Sequence, residues 1–343
     1  MTAVFCENTA DRKAETWEKH LAPFHRLEFV VSDAAKGIAK GVAQVAQARR
    51  DKPSAPPLEQ GLDVFHTTME AKRVLARHWR RAEAVWEKAE AADAKVAAAR
   101  QQGIDARGVA QTGYAAWRRA SAALAEIDRL EAAWDRAHAA LDLFDPDGRL
   151  NDRGRAETAI AAALRDLTGP DWSKVRNFLN DPRSLTFLDR MHRRLEEAEP
   201  RPEWREAMAW RWWLRHRRSS PPADRLARLI RGVGRDRELD EEERASYDRV
   251  SAVLRDTFRA SSAVECMNSV LRMQQSRHKR MTQPMLDLKR LYWNCHPFRS
   301  GPRKNVCPYQ RLGLESSSFN FWELLQTDPT TLTQRLSTSR NGE

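Results

Sequence analysis

Apolar and polar positions change rhythm several times along this chain, and each change predicts an element. Ala14, Trp17 and Leu21 share one face at helical spacing, which predicts a helix over residues 10–21 ending near Pro23. Residues 27–32 form a short, mostly apolar run of strand length, and residues 34–49 read as a second helix. A loop rich in proline follows at 51–57, and residues 62–66 read as another short strand leading into a helix. Residues 2–6 are a further β-like run. Strand and helix alternate here, which predicts an α/β layer.

Beyond His66 the period becomes helical throughout. Leu75, Trp79, Ala82, Trp86 and Ala89 recur at three- and four-residue steps, as do Tyr114, Trp117, Leu124, Ile127, Trp134 and Leu141 at three, four or seven. Gly103 and Gly108 separate the two runs, predicting an antiparallel helical hairpin packed like a coiled coil. Asp145-Pro146-Asp147-Gly148 ends it, with only a superficial likeness to a calcium loop because the later ligand positions are wrong. Further helices are punctuated by Gly169-Pro170, Asp181-Pro182 and Pro221-Pro222. The predicted organisation is an α/β start over 1–66, an all-helical insertion over 67–259, a return to the first domain over 260–325, and a Thr/Ser-rich tail over 326–343.

Composition narrows the partners. Mean hydropathy is −0.72 and the formal net charge is +11. Residues 260–311 hold ten basic and two acidic residues, so most of the excess sits in one stretch. A concentrated positive field implies a polyanion, and without a broad amphipathic face nucleic acid fits better than a membrane. No apolar run has the length of a membrane span and the N-terminus shows no signal-peptide pattern, so a cytoplasmic address is expected. Cys6, Cys266, Cys295 and Cys307 lack paired spacing; Cys295, His296 and Cys307 form at most a non-standard zinc set, and reduced thiols are the expectation.

Three groups of residues are candidates for chemistry. Asp33 ends a predicted strand, where α/β sheets place their sites, but Asp is also a favoured helix cap. Ser262-x-x-Glu265 is a capping box, yet Glu265, Asn268 and Arg272 share one helix face, aiming an acid, an amide and a guanidinium at the same space. Asp63 and His66 are possible accessory residues, with structural hydrogen bonding as the alternative. Arg277, Lys279 and Arg280 follow the Glu265 helix as candidate phosphate contacts. Trp204, Trp210, Trp212 and Trp213 interleave with Arg211, Arg215 and Arg218; the tryptophans are expected to enter a core and the arginines to face DNA.

Taken together these pieces resemble a bacterial insertion-sequence transposase of the DDE class, over residues 10–322. The most specific piece is Ala260-Ser261-Ser262-x-x-Glu265-x-x-Asn268-x-x-x-Arg272, followed by Pro308-Tyr309-x-x-Leu312-Gly313-Leu314. The run Val30-Val31-Ser32-Asp33 and the motif Asp63-x-Phe65-His66 fall at matching places. The resemblance implies an RNase H-like α/β core interrupted by a large all-α insertion, predominantly helical overall. It implies that Asp33 and Glu265 are catalytic and hold Mg²⁺ or Mn²⁺, for cleavage at transposon ends and strand transfer into target DNA. It also implies homo-oligomers at full length. The family's first Asp lies on a strand upstream of the first helix, for which this chain offers too few residues. A truncated transposase with little strand transfer by itself is therefore expected, its two-metal site complete only if that Asp is supplied. A non-catalytic DNA-binding regulator and a helical interaction module are the alternatives.

Overall fold

The computed structural model describes residues 11–50, 55–216, 238–259, 282–298, 304–311, 320–328 and 331, so the β-like run expected at residues 2–6 lies outside the described residues. Helix accounts for 73 % of the described residues, and helix packing therefore sets the architecture. The chain divides into two compact units, Lys13–Ser261 and Met1–Arg12 with Ser262–Glu343. The boundary expected after residue 66 falls inside the larger unit, within a helix.

The larger unit opens with α1 (Ala14–Leu21), β1 (Phe29–Ser32), α2 (Lys36–Arg50) and β2 (Glu59–Leu62). The two strands pair in parallel, Phe29 opposite Glu59 and Ser32 opposite Leu62. Phe29, Val30 and Val31 of β1 are aromatic or β-branched, as strand residues tend to be, and half-buried; Ser32 is buried. β2, Glu-Gln-Gly-Leu, is not, and its position corrects the expected strand at 62–66. Its register comes from packing: a side chain at Gly61 would meet Cζ of Phe29 at 2.6 Å, so glycine lets that ring lie across the strand. Arg49, 8 % exposed near the end of α2, donates to the Leu27 and Phe24 carbonyls and fixes the approach to β1. α1 and α2 touch at Gly41, where a Cβ would come within 2.6 Å of Trp17 Cβ and 2.8 Å of the Ala14 carbonyl.

α3 (Val64–Gln101) and α4 (Arg107–Ala140) form the expected hairpin. With 38 residues α3 is roughly 57 Å long. Trp79 Nε1 donates to Glu131 and Trp117 Nε1 to Asp93, so partners draw closer in sequence toward the turn and the helices are antiparallel. The buried seam runs at seven-residue steps, Ala82, Ala89 and Val96 against Gly113, Ala120, Ile127 and Trp134. Small residues let the backbones approach; of the large aromatics expected in the seam Trp134 lies in it, whereas Trp79, Trp86 and Tyr114 flank it. Trp79 and Trp86 are about one-third exposed, Tyr114 is 76 % exposed, and Trp86 meets Trp117 edge-on at 4.8 Å.

α5 (Arg153–Asp166), α6 (Ser173–Leu179), α7 (Thr186–Ala198), α8 (Pro202–His216) and α9 (Glu241–Arg255) complete the unit. Their core, with Trp172, Phe187, Leu188, Met191 and Leu195 fully buried, is continuous with Leu62 and Val64 of the strand–helix junction. α7 packs against the strands: Arg190 pairs with Glu28, Arg193 pairs with Glu59, and the Arg190 guanidinium lies 5.4 Å from the Phe29 ring. The hairpin is followed by a tight loop at Asp145–Gly148. Its Asp145 Oδ1 accepts from the Asp147 and Arg149 amides, and Gly148 has a positive φ of 80° under the Trp213 ring.

The smaller unit holds α10 (Gln283–Cys295), α11 (Pro308–Arg311) and α12 (Phe321–Gln326). Tyr292 stacks on His296 at 5.4 Å and meets Phe321 edge-on. Cys295 and Cys307 are buried free thiols, and burial, with Cys307 nearby, pushes Cys295 up to about 11. A thiol raised in this way, as at Cys295, is a poor nucleophile.

Glu199, between α7 and α8, is fully buried. It accepts hydrogen bonds from Arg201 Nε at 2.8 Å, Ser246 Oγ at 2.6 Å and Arg249 Nη2 at 2.6 Å, and so ties α8 to α9. The Arg201 hydrogen bond first, then those of Ser246 and Arg249, hold its carboxyl far below the ordinary value against the opposing effect of desolvation. Its ionised form thus stabilises the fold above the ordinary value of 4.5, and that contribution is lost as pH falls below it. Glu199→Gln should cost about 2 kcal/mol near neutrality. In thermal melts the gap from the parent should narrow once the buffer is below pH 4.5.

Candidate metal and nucleic-acid site

The parallel register decides where the carboxylates emerge. The Asp63 amide donates to the Ser32 carbonyl at 2.8 Å, so Asp33 and Asp63 leave adjacent strands side by side at their C-terminal ends. Open parallel sheets carry their sites at that end.

The two acids differ in environment. Asp33 is exposed, and its Oδ1 accepts from the Ala35 amide at 3.3 Å, a long bond that leaves the carboxylate with most of its acceptor capacity. It closes a turn ahead of α2 and can also serve as a hard oxygen ligand of the kind Mg²⁺ prefers. Asp63 is 1 % exposed. Its Oδ1 accepts from the Phe65 amide at 2.9 Å and its Oδ2 lies 2.7 Å from His66 Nδ1. It is the N-cap of α3, which is why the helix starts at Val64 and the strand ends at Leu62. The same carboxylate orients the His66 ring, whose side chain is 49 % exposed.

A residue that sequence reasoning passed over completes this end of the strands. The Arg259 carbonyl accepts from the Val64 amide at 3.0 Å. Its guanidinium donates to the Leu141 carbonyl at 2.7 Å and pairs with Asp142 at 2.5 Å. The chain thus returns after α9 to the junction next to Asp63. Its place at the head of the Ser262–Glu265 motif was the only signal in the sequence. Beside it opens a cavity of about 420 Å³ walled by Phe144, Trp212, Trp213, His216 and Arg259. Trp212 stacks between Phe144 at 5.7 Å and His216 at 4.2 Å.

Of the expected site residues, the structure brings Asp33, Asp63 and His66 to one end of the strand pair. Glu265, Asn268, Arg272, Arg277, Lys279, Arg280 and Arg218 lie outside the described residues. Arg211 corrects its expected role: at 2 % exposure its side chain is enclosed within the helical core and does not face DNA. It sits on the inner face of α8 beside Met208, Trp210 and Leu214, all buried. Arg215 is exposed, its guanidinium 5.4 Å from the Tyr247 ring. Trp204 packs under Arg201 at 3.8 Å, and Trp210 is buried.

Among the described residues no cluster of three or more His, Cys, Asp or Glu side chains is arranged to hold a metal ion. Also among the described residues, no helix is long and apolar enough to cross a membrane. No protein-family model, curated protein or solved structure matches the chain.

The double duty of Asp63 is testable by stability alone. Asp63→Ala should lower stability by about 2 kcal/mol, through loss of the cap and of the buried partner of His66. Asp63→Asn, an equally good cap, should recover most of that loss in urea titrations.

Proposed function

We propose that the chain is a transposase of the DDE class that binds DNA, with divalent Mg²⁺ or Mn²⁺ serving phosphodiester cleavage and strand transfer, of which the chain by itself carries out little. Asp33 and Glu265 hold the ion in this reading, and the core around them is RNase H-like. When bound, divalent ions of this kind activate the attacking oxygen and stabilise the leaving one in an in-line displacement. Asn268, Arg272, Arg277, Lys279 and Arg280 bind the DNA backbone, joined by Arg215 and Arg218. In this reading the protein works in the cytoplasm on transposon ends and target DNA, as a homo-oligomer at full length.

One observation carries the reading. Asp33 stands at the C-terminal end of a parallel β–α–β pair with acceptor capacity left on its carboxylate. The chain is anchored at that same end through Arg259. Glu265 follows Arg259 by six residues, a tether of at most about 20 Å in the fully extended chain. Asp33 is a hard oxygen donor at a sheet's functional end, and ten basic residues against two acidic ones over residues 260–311 supply the field for a polyanion.

The test is nicking of supercoiled plasmid. DNA affinity should fall steeply with salt. Nicking should require Mg²⁺ or Mn²⁺ and drop at least tenfold, roughly, in both Asp33→Asn and Glu265→Gln. Nicking that survives chelation and Glu265→Gln rejects the site. Salt-dependent binding with no nicking at all identifies a DNA-binding regulator instead.

A further inference from the structure

We infer that the outer half of the α3–α4 hairpin is a self-association surface, pairing with the same face of a second copy of this chain as a four-helix bundle. The inference rests on the homo-oligomeric part of the reading above and names the surface that makes it.

The hairpin extends past the body it belongs to. Its outermost ties to the rest of the larger unit are Arg81 and Arg129, paired with Asp171 and Asp166. The main hydrophobic core reaches no further out than Leu75 on α3 and Leu130 on α4. Beyond Arg81 and before Arg129, the described side chains of the two helices hydrogen-bond within the hairpin alone. Residues 82–101 of α3 span roughly 30 Å. Two helices packed only on each other bury one stripe apiece and leave their other faces to solvent.

One of those faces carries opposite charge on its two helices. The seam residues Ala82, Ala89 and Val96 of α3, and Gly113 and Ala120 of α4, set the helical phase. Trp86, Asp93 and Trp117 each stand four positions past a seam residue. Trp117 meets Trp86 at 4.8 Å and donates to Asp93, so positions in that phase share one face of the hairpin. Positions one and five past a seam residue extend the face outward. There α3 presents Glu83, Glu87 and Glu90, while α4 presents Tyr114 and Arg118. Glu83, Glu87 and Arg118 are exposed and make no ion pair among the described residues. Tyr114 is 76 % exposed.

A two-fold axis along the hairpin satisfies these groups. It exchanges α3 with α4 and keeps every residue at its own level, making an isologous contact. The Trp79–Glu131 and Trp117–Asp93 hydrogen bonds put Arg118 level with Ala92 and Tyr114 level with Val96. Arg118 of each copy then faces Glu90 and Glu87 of the other. Tyr114 lies over Ala94 and Ala97, whose small side chains leave room for a ring. An axis across the hairpin would instead set the acids of α3 against themselves. Four acids, Asp93 included, outweigh the face's three arginines, Arg100, Arg107 and Arg118, so it offers no field for a polyanion. Two helices about 10 Å wide over about 30 Å bury roughly 600 Å² per copy, the lower limit of a specific interface. The pair is therefore a weak dimer that salt loosens.

The experiment is sedimentation velocity on the full chain over a range of concentrations. The parent should dimerise, and less so as salt rises from about 0.1 M to 1 M. Glu87→Arg and Arg118→Glu should each weaken dimerisation by about tenfold or more. Both sites are exposed and unpaired in one copy, so both variants should melt like the parent when dilute. Mixed in equal amounts, the two variants should recover the parental affinity, because every charged contact in the mixed dimer is again acid to base. Parental dimerisation by both variants overturns the assignment, as does a mixture no tighter than its components. Unchanged dimerisation with altered affinity for DNA gives the face to nucleic acid and also overturns it. A parent that stays monomeric at every concentration removes the homo-oligomer of the underlying reading and this surface with it.

Discussion

The junction between β2 and α3 is the point on which the rest depends. Within two residues it satisfies four demands. The Asp63 amide completes the ladder to Ser32, the Asp63 carboxylate caps α3 and holds His66, and the Val64 amide binds the Arg259 carbonyl. Buried backbone donors need partners, and here each partner comes from a different part of the chain. The strand pair, the long hairpin and the segment returning after α9 therefore share one fixed point. Leu62 and Val64, on either side of Asp63, enter the main hydrophobic core, so the junction is held by packing as well as by hydrogen bonds.

This explains why the strands and the helical body form one compact unit. An insertion hinged at residue 66 would keep its own core and meet the sheet through a small interface. Instead α3 begins at the strand end, and α7 lies over the strands with Arg190 and Arg193 on Glu28 and Glu59. Exposed ion pairs contribute little singly. The placement follows from the Phe29 ring crossing Gly61 under Arg190.

Periodicity made the helices legible, because a helix of many turns repeats its signal. The hairpin, its turn at Gly103 and the helices punctuated by proline follow from it. The seam was harder to read: Ala82, Ala89 and Ala120 carry little hydrophobic weight, and Trp79 and Trp86, which drew attention, flank it. β2 was misplaced because Glu-Gln-Gly-Leu has no strand propensity and its pairing is tertiary, whereas Val64 and Phe65 looked like strand but were capped into a helix by Asp63. Arg211 read as a surface cation because burial of a charge is invisible in a local pattern. Asp33, Asp63 and His66 could be named from sequence, but their common location required the parallel register of β1 and β2.

The account's central claim is that Asp33 and Glu265 bind one divalent ion. Mn²⁺ affinity, followed by the electron paramagnetic resonance of the free ion, tests it in the parent, Asp33→Asn, Glu265→Gln and the double variant. A shared ion predicts that each single change weakens binding by about tenfold or more. The double variant should then be little worse than the poorer single, because the two effects are coupled. Parental affinity in either single variant, or losses that simply add, would contradict it.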